Sequence, residues 1–219
     1  IDSHGADAMR FTLASMTTQT QDVRMPVEEM KLPDGRTANT SPKFDLGRNF
    51  CNKLWNASRF ALMNLDACPL WADVSPREHL ADRWILSRLN DTVRQATAAL
   101  EAYRFNELAD AIYHFTWDDV CDWYLEVAKV RIRIGEQTPK AVLAWCLDVI
   151  LRMLHPVAPF ITEAIWQKLN EAVAVRGPGG DVLRHQAPEP PEEAVSALDS
   201  GIGPLQGLVR RRREQSEQA

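Results

Sequence analysis

The sequence predicts a mainly α-helical bundle, preceded by a small mixed α/β piece that contains a short hairpin. Three observations support this fold class. In the helices predicted between residues 43 and 173, apolar side chains recur every three, four or five positions, as on a helix with one buried face. Only residues 22–45 alternate apolar and polar side chains, as a half-buried strand does. The hydrophobic content of 45%, with seven Trp, is sufficient for a packed core and argues against disorder.

The first 45 residues predict one helix and one hairpin. Apolar residues between 4 and 19 have helical spacing, and Ser3 is a candidate cap. Val23, Met25 and Val27 then alternate with polar residues. Pro33-Asp34-Gly35-Arg36 has the composition of a turn in which Gly35 takes a positive φ. Because Pro26 lacks a backbone donor, we expect the strand that contains it to lie at a sheet edge.

The remaining helices are predicted from the same periodicity. Ser75 and Pro76 are a candidate cap and first residue of one of them. The stretch His155-Pro156-Val157-Ala158-Pro159 must break the backbone, because two prolines remove two amide donors. The predicted helices cover 43–65, 76–102, 104–134, 138–155 and 159–173, with a last one around 204–216. The aromatic residues expected in the core are Trp117, Trp123, Tyr124, Trp145 and Trp166.

Residues 174–204 are rich in glycine and proline, which predicts a loop or linker before the last helix. Three domains are therefore expected, over 1–45, 46–173 and 174–219. The chain does not begin with Met, which leads us to expect a fragment of a longer protein. It contains no uninterrupted apolar run long enough to span a membrane, so no membrane partner is expected.

Charge and cysteine content limit the function further. The net charge of −5 excludes a chain that binds nucleic acid through its overall field, so any RNA contact must come from a local patch. The four cysteines form no C-x-x-C pair and share no ligand spacing with histidine. We therefore expect no zinc site and no disulfide framework, but reduced and mostly buried thiols in a cytoplasmic protein.

One predicted helix, Arg48 to Leu65, has an unusual polar face. Plotted at about 100° per residue, it places all its Arg, Lys and Asn residues on one side, and that stretch contains no acidic residue. Ordinary solvated faces mix Glu with Lys, whereas this composition suits a polyanion. Cations bind phosphates, amides read base edges and an aromatic ring stacks on unpaired bases. The predicted RNA-binding residues are Arg48, Asn49, Asn52, Lys53, Asn56, Arg59 and Phe60.

Other candidate sites are weaker. The acidic row Asp118, Asp122 and Glu126 could bind Mg²⁺, but a solvated face or pairing with Arg131 and Arg133 is the simpler interpretation. The run Arg210–Arg213 is either a solvated end or an auxiliary phosphate contact. We predict no catalytic residue and no metal site in the chain.

Five segments resemble the C-terminal half of valyl-tRNA synthetases in both order and spacing. The phrase HP-x-x-PF-x-x-E-x-x-W is shared with the isoleucine and leucine enzymes, whereas RNFCNKLWNASRF and FTWDDVCDWYLE resemble the valine enzymes. The segments are GADAMRFTLASMTTQTQDV (5–23), LGRNFCNKLWNASRFALMNL (46–65), LADRWILSRLN (80–90), FTWDDVCDWYLEVAK (115–129) and LHPVAPFITEAIWQKL (154–169).

The resemblance implies the anticodon-binding helical bundle of a class I aminoacyl-tRNA synthetase over 46–173. Residues 1–45 would be the end of the catalytic half and its stem-contact junction. The family joins valine to tRNA(Val) with ATP and Mg, at a site that is not in this chain. The His-Ile-Gly-His and Lys-Met-Ser-Lys-Ser motifs and the editing domain are missing from these residues. The fragment alone is therefore expected to be inactive, to need no cofactor and to be monomeric.

The sequence departs from the family pattern in two places. Residues 25–44 look longer than in the family, so the hairpin is a candidate insertion, and the match fades beyond about Glu171. The expected partners are tRNA(Val) and the remainder of the synthetase. Two alternatives stay open: the equivalent part of an isoleucyl- or leucyl-tRNA synthetase, and a helical interaction module that does not bind RNA.

Overall fold

A computed structural model describes residues 3–18, 22–31, 35, 37–69 and 74–172 of the chain. Helix α1 (Ala6–Met16) leads into a hairpin of β1 (Glu28–Lys31) and β2 (Thr37–Thr40). The bundle then consists of α2 (Phe44–Met63), α3 (Leu80–Glu101), α4 (Phe105–His114), a π-helical segment (Phe115–Tyr124), α5 (Leu125–Arg133), α6 (Thr138–Leu154) and α7 (Pro159–Ala172). The predicted fold class, mainly helical with a small hairpin, is confirmed.

The start of α3 differs from the prediction. Pro76 lies in a turn, and the helix begins only at Leu80. His79 caps it, because its Nδ1 accepts a hydrogen bond from the backbone N–H of Ala81 at 3.2 Å. The predicted cap at Ser75 and Pro76 is therefore wrong: an imidazole nitrogen four residues later satisfies the helix end instead.

The hairpin is present, but its first strand starts later than predicted. The ladder pairs Glu28 with Thr40 and Lys31 with Thr37, in antiparallel register. The residues that suggested a strand, 23–27, precede it without regular structure, because Pro26 has no N–H to donate to a ladder. Gly35 takes the predicted positive φ, at +85°; the other predicted turn residues lie outside the described part of the chain.

The predicted helix 104–134 is continuous, but its middle is π-helical. The backbone N–H of Leu125 donates to the carbonyl of Val120, a bond that spans five residues instead of four. This widened turn buries Tyr124 and leaves Trp123 67% exposed. The predicted core position of Trp123 is therefore wrong, whereas Tyr124 is in the core. Trp117, Trp145 and Trp166 are partly buried against the core.

Helix α1 packs tightly on α2. The rings of Phe11 and Phe50 stack with centroids 4.4 Å apart, and both side chains are buried. At Gly47 the two helices approach so closely that a Cβ would lie 2.2 Å from the carbonyl oxygen of Ala8. Only glycine permits this contact, which places the N-terminal part of α2 directly against α1.

Two polar side chains of α1 hold the corner between α6 and α7. The carboxylate of Asp7 accepts hydrogen bonds from the backbone N–H groups of Phe160 and Ile161, at 3.3 and 2.6 Å. Arg10 donates to the carbonyls of Pro156 and Val157, each at 2.9 Å. The proline corner leaves these backbone groups without helical partners, and α1 supplies the partners.

A buried ionic network joins the start of α3 to the π-helical segment and α5. Asp82 is fully buried, and its Oδ1 accepts hydrogen bonds from the Tyr124 hydroxyl at 2.5 Å and from Arg131 Nη1 at 2.6 Å. Arg131 also donates through Nε to Glu136 at 2.8 Å. Arg131 is therefore committed to the bundle interior and does not pair with the acidic row as the sequence suggested.

No helix in the described residues is both long and apolar enough to cross a membrane. The predicted linker from 174, the predicted helix around 204–216 and the run Arg210–Arg213 lie outside the described residues. The bounds of the three predicted domains stay predictions.

Candidate nucleic-acid interface

The unusual polar face of α2 points outward. Its opposite side is buried in the bundle through Phe50, Leu54 and Ala61. The predicted RNA-binding side chains therefore line one surface strip of α2. Four of them are exposed, Asn49, Asn52, Asn56 and Arg59, and three are half-buried, Arg48, Lys53 and Phe60.

Arg48, at the N-terminal end of the strip, is already in an ion pair. Its Nη2 lies 2.8 Å from Asp45 Oδ1, within the first turn of α2. The same oxygen lies 3.1 Å from Nε2 of the buried His4. Helix α2 begins at Phe44, four residues before Arg48, so Asp45 belongs to its first turn and offsets part of the Arg48 charge.

Lys53, in the middle of the strip, is held by the neighbouring π-helical segment. Its Nζ lies 2.6 Å from Asp122 Oδ1 and 3.8 Å from the ring centroid of Trp117. The ring of Trp117 stacks in turn on that of Tyr113, with centroids 5.4 Å apart. The ammonium thus lies between a carboxylate and an aromatic face, both of which stabilise a cation.

Phe60 and Arg59 form the C-terminal part of the strip. Phe60 packs against the core, and Lys129 Nζ lies 5.0 Å from its ring centroid. Arg59 is exposed, and no acidic side chain among the described residues pairs with it. Of the three cations on the strip, Arg59 is therefore the most available to an incoming phosphate.

The π-helical segment widens this surface beyond the sequence prediction. Trp117 and Asp122 adjoin the strip from the π-helical segment, and Lys129 adjoins it from α5. The helical wheel of α2 could not reveal them, because they come from a different helix. The five-residue spacing from Phe115 to Val120 was the available signal for a π-helical turn.

The acidic row is paired, although not with the predicted partners. Asp118 lies 2.6 Å from His114 Nδ1, Asp122 pairs with Lys53, and Glu126 pairs with Lys129. The adjacent Asp119 accepts a hydrogen bond from Arg88 Nε at 2.8 Å. The hydrogen bond that His114 donates to Asp118 raises the pKa of His114 above its usual value. In the described residues, no group of three or more His, Cys, Asp or Glu side chains is arranged to hold a metal ion.

The four cysteines are free thiols, two buried and two half-buried. Burial raises the pKa of Cys51 to about 12, and those of Cys68 and Cys121 to about 11. Burial raises the pKa of Cys146 as well. Because the thiolate is the reactive form, none of these residues is suited to nucleophilic chemistry near neutral pH.

Comparison with known proteins identifies the family. The family model described as the anticodon-binding domain of tRNA ligase matches residues 82–216. The chain belongs to this family. The resemblance predicted from the sequence motifs is confirmed. Helix α2, which carries the outward strip, contacts two of the matched elements, the π-helical segment and α6.

Relatives of this anticodon-binding domain are valine–tRNA ligases. The ligase from Thermotoga maritima is 47% identical to this chain over 175 residues. The ligase from Geobacter sulfurreducens is 46% identical over 182 residues, and the ligase from Listeria innocua serovar 6a is 42% identical over 174 residues. These matches cover 77–78% of this chain and 18% of each relative. The chain therefore spans less than a fifth of the length of these ligases.

Proposed function

We propose that this chain is the anticodon-binding part of a valine–tRNA ligase, and that it binds the anticodon stem-loop through the outward strip of α2. The family supports an RNA ligand, and the identity with valine–tRNA ligases favours valine over isoleucine or leucine. The observation that carries the proposal is the exposed strip itself, which combines cations and amides with an aromatic ring and contains no acid after Asp45.

The strip would bind RNA in two ways. Arg59 and Arg48 contact phosphates and supply affinity that falls with salt. The exposed amides of Asn49, Asn52 and Asn56 can donate to and accept from base edges, which gives discrimination. A base that stacks on the accessible part of Phe60 would contribute about 1–3 kcal/mol.

In the longer ligase, this part would position the tRNA while the reaction proceeds elsewhere. The whole protein would join valine to tRNA(Val) with ATP and Mg, at a site outside this chain. We place it in the cytoplasm, as a monomer, with the remainder of the ligase as its covalent partner. The chain alone would bind tRNA without forming valyl-adenylate, and pyrophosphate exchange by the chain alone would contradict this.

Among the cations of the strip, we expect Arg59 to contribute more to RNA affinity than Arg48. Replacing Arg59 with Ala should weaken binding of a tRNA(Val) transcript about tenfold, the cost of one charged hydrogen bond. It should also reduce the dependence of log Kd on log salt by about one phosphate contact. Arg48→Ala should have a smaller effect, because Asp45 already offsets its charge. Filter binding at two salt concentrations measures both quantities.

The matched control is Arg94→Ala, which removes an exposed arginine from α3 that pairs with Asp91. It should leave both affinity and salt dependence unchanged. If the double variant Arg48→Ala and Arg59→Ala also leaves both unchanged, the α2 strip is not the RNA interface. Equal affinity for transcripts with different anticodons would contradict base readout, and no RNA binding at all would favour a helical interaction module.

A further inference from the structure

A second surface of the bundle, between α3 and the π-helical segment, is apolar and uncovered in the described part of the chain. A groove of about 260 Å³ is lined there by Ala81, Trp84, Trp123 and Val127, with Asp118 and Asp119 at its rim. The side chain of Trp123 is 67% exposed and that of Trp84 is 36% exposed. Two partly uncovered indoles in one groove indicate a binding surface, because soluble proteins seldom leave such area in water.

The apolar surface continues along α5. Val127, Val130 and Ile134 follow Trp123 at spacings of four, three and four residues, so they share one side of the helix. Val130 and Ile134 are exposed, as is Leu80 at the start of α3. The surface therefore has the length of several helical turns, which suits another helix better than a small molecule.

We propose that the segment 204–216 of this same chain docks on this surface as a helix. Leu205, Leu208 and Val209 have the three-and-four spacing of an apolar stripe, and Pro204 suits a first helical turn. The run Arg210–Arg213 follows the stripe, and two acidic side chains line the groove, Asp118 and Asp119, each of which also pairs with a basic side chain of the bundle. The proposal is independent of RNA binding.

Two further observations support this occupant. The match to the anticodon-binding domain family extends to residue 216, so the segment belongs to the same domain as α3 and α5. Residues 173–203 connect it to the end of α7. A connection of that length reaches up to roughly 100 Å when extended, whereas α3, the longest helix, measures about 33 Å. Chain length therefore allows the segment to reach the groove.

The experiment uses the full chain labelled with fluorotryptophan and observes Trp123 by fluorine NMR. Single Trp→Phe substitutions assign the resonances. If the segment docks, Trp123 in the unmodified chain shows a small solvent isotope shift, no larger than that of Trp145, which is partly buried against the core. The double variant Leu205→Asp and Leu208→Asp should raise this shift to that of free fluorotryptophan, while circular dichroism shows that the bundle remains folded.

The control is Leu183→Asp, which makes the same type of substitution once, outside the stripe, and should leave Trp123 protected. The uncharged double variant Leu205→Gln and Leu208→Gln should also raise the solvent isotope shift of Trp123. The proposal is overturned if Trp123 is already fully solvent-accessible in the unmodified chain, or if its protection is unchanged in both pairs of variants. Protection that increases with protein concentration would identify a second copy as the occupant and also overturn it.

Discussion

His114 is an exposed side chain between two carboxylates that favour its protonated form. Its Nδ1 lies 2.6 Å from Asp118, and its Nε2 lies 3.3 Å from Asp110. The hydrogen bond with Asp118 is the largest cause that raises the pKa of His114 above 6.5, and Asp110 adds to it. The imidazolium is thereby stabilised in the folded state.

We expect Asp118→Asn to lower the pKa of His114. The pair with Asp118 should stabilise the folded chain fully below pH 6.5, and this contribution should disappear as the pH rises through the folded-state pKa. An NMR titration of the His114 ring compares the midpoints in the two proteins. The same midpoint in both would show that Asp118 does not hold the proton on His114 in solution.

The buried carboxylate of Asp82 gives a second prediction at the scale of one residue. Asp82→Ala should destabilise the fold by about 3–5 kcal/mol, because it leaves the Arg131 guanidinium without its buried partner. Urea unfolding measures this change. The control Asp91→Ala breaks an exposed pair with Arg94 and should cost at most about 1 kcal/mol. Comparable losses in the two variants would mean that Arg131 finds another partner or reaches water.

Among the elements, α1 and α2 depend on their close approach at Gly47. Gly47→Ala would place a Cβ 2.2 Å from the Ala8 carbonyl oxygen, so the helices must separate. We expect a loss of about 1–3 kcal/mol in the free energy of unfolding, as for other overpacked sites. Asn56→Ala, on the exposed side of the same helix, should be neutral or slightly stabilising. A neutral Gly47→Ala would mean that the α1–α2 contact is looser than described.

The π-helical segment explains most of what the sequence pattern missed. Regular α-helical spacing predicted Trp123 in the core, and the widened turn before Leu125 turns it to solvent instead. Apolar spacing alone does not determine the hydrogen-bond pattern of a helix. The five-residue interval from Phe115 to Val120 is therefore also compatible with an ordinary α-helix whose apolar spacing is irregular. The same turn brings Asp122 to Lys53, a contact that no analysis of α2 alone could reveal.

At the scale of the whole molecule, the bundle was predictable because one-sided apolar periodicity runs through α2 and α3, while α6 is apolar on nearly all sides and lies in the core. The outward direction of the α2 strip followed from the same pattern. The pairing of Lys53 did not, because its partner Asp122 comes from another helix, whereas Arg48 pairs with Asp45 within the same helix. Sequence therefore predicted the candidate RNA-binding residues as a set, whereas the structure identifies Arg59 as the cation without an acidic partner among the described residues.

The hydrogen bonds from Asp7 and Arg10 join the first helix of the described chain to the last. Terminal helices usually fray, because nothing secures their outer ends. Here the first backbone N–H groups of α7 donate to the side chain of Asp7, so separating the two helices would leave both the carboxylate and these N–H groups without partners. Helices α1 and α7 thus stabilise each other, and amide exchange in α1 should require the bundle to open as one cooperative unit.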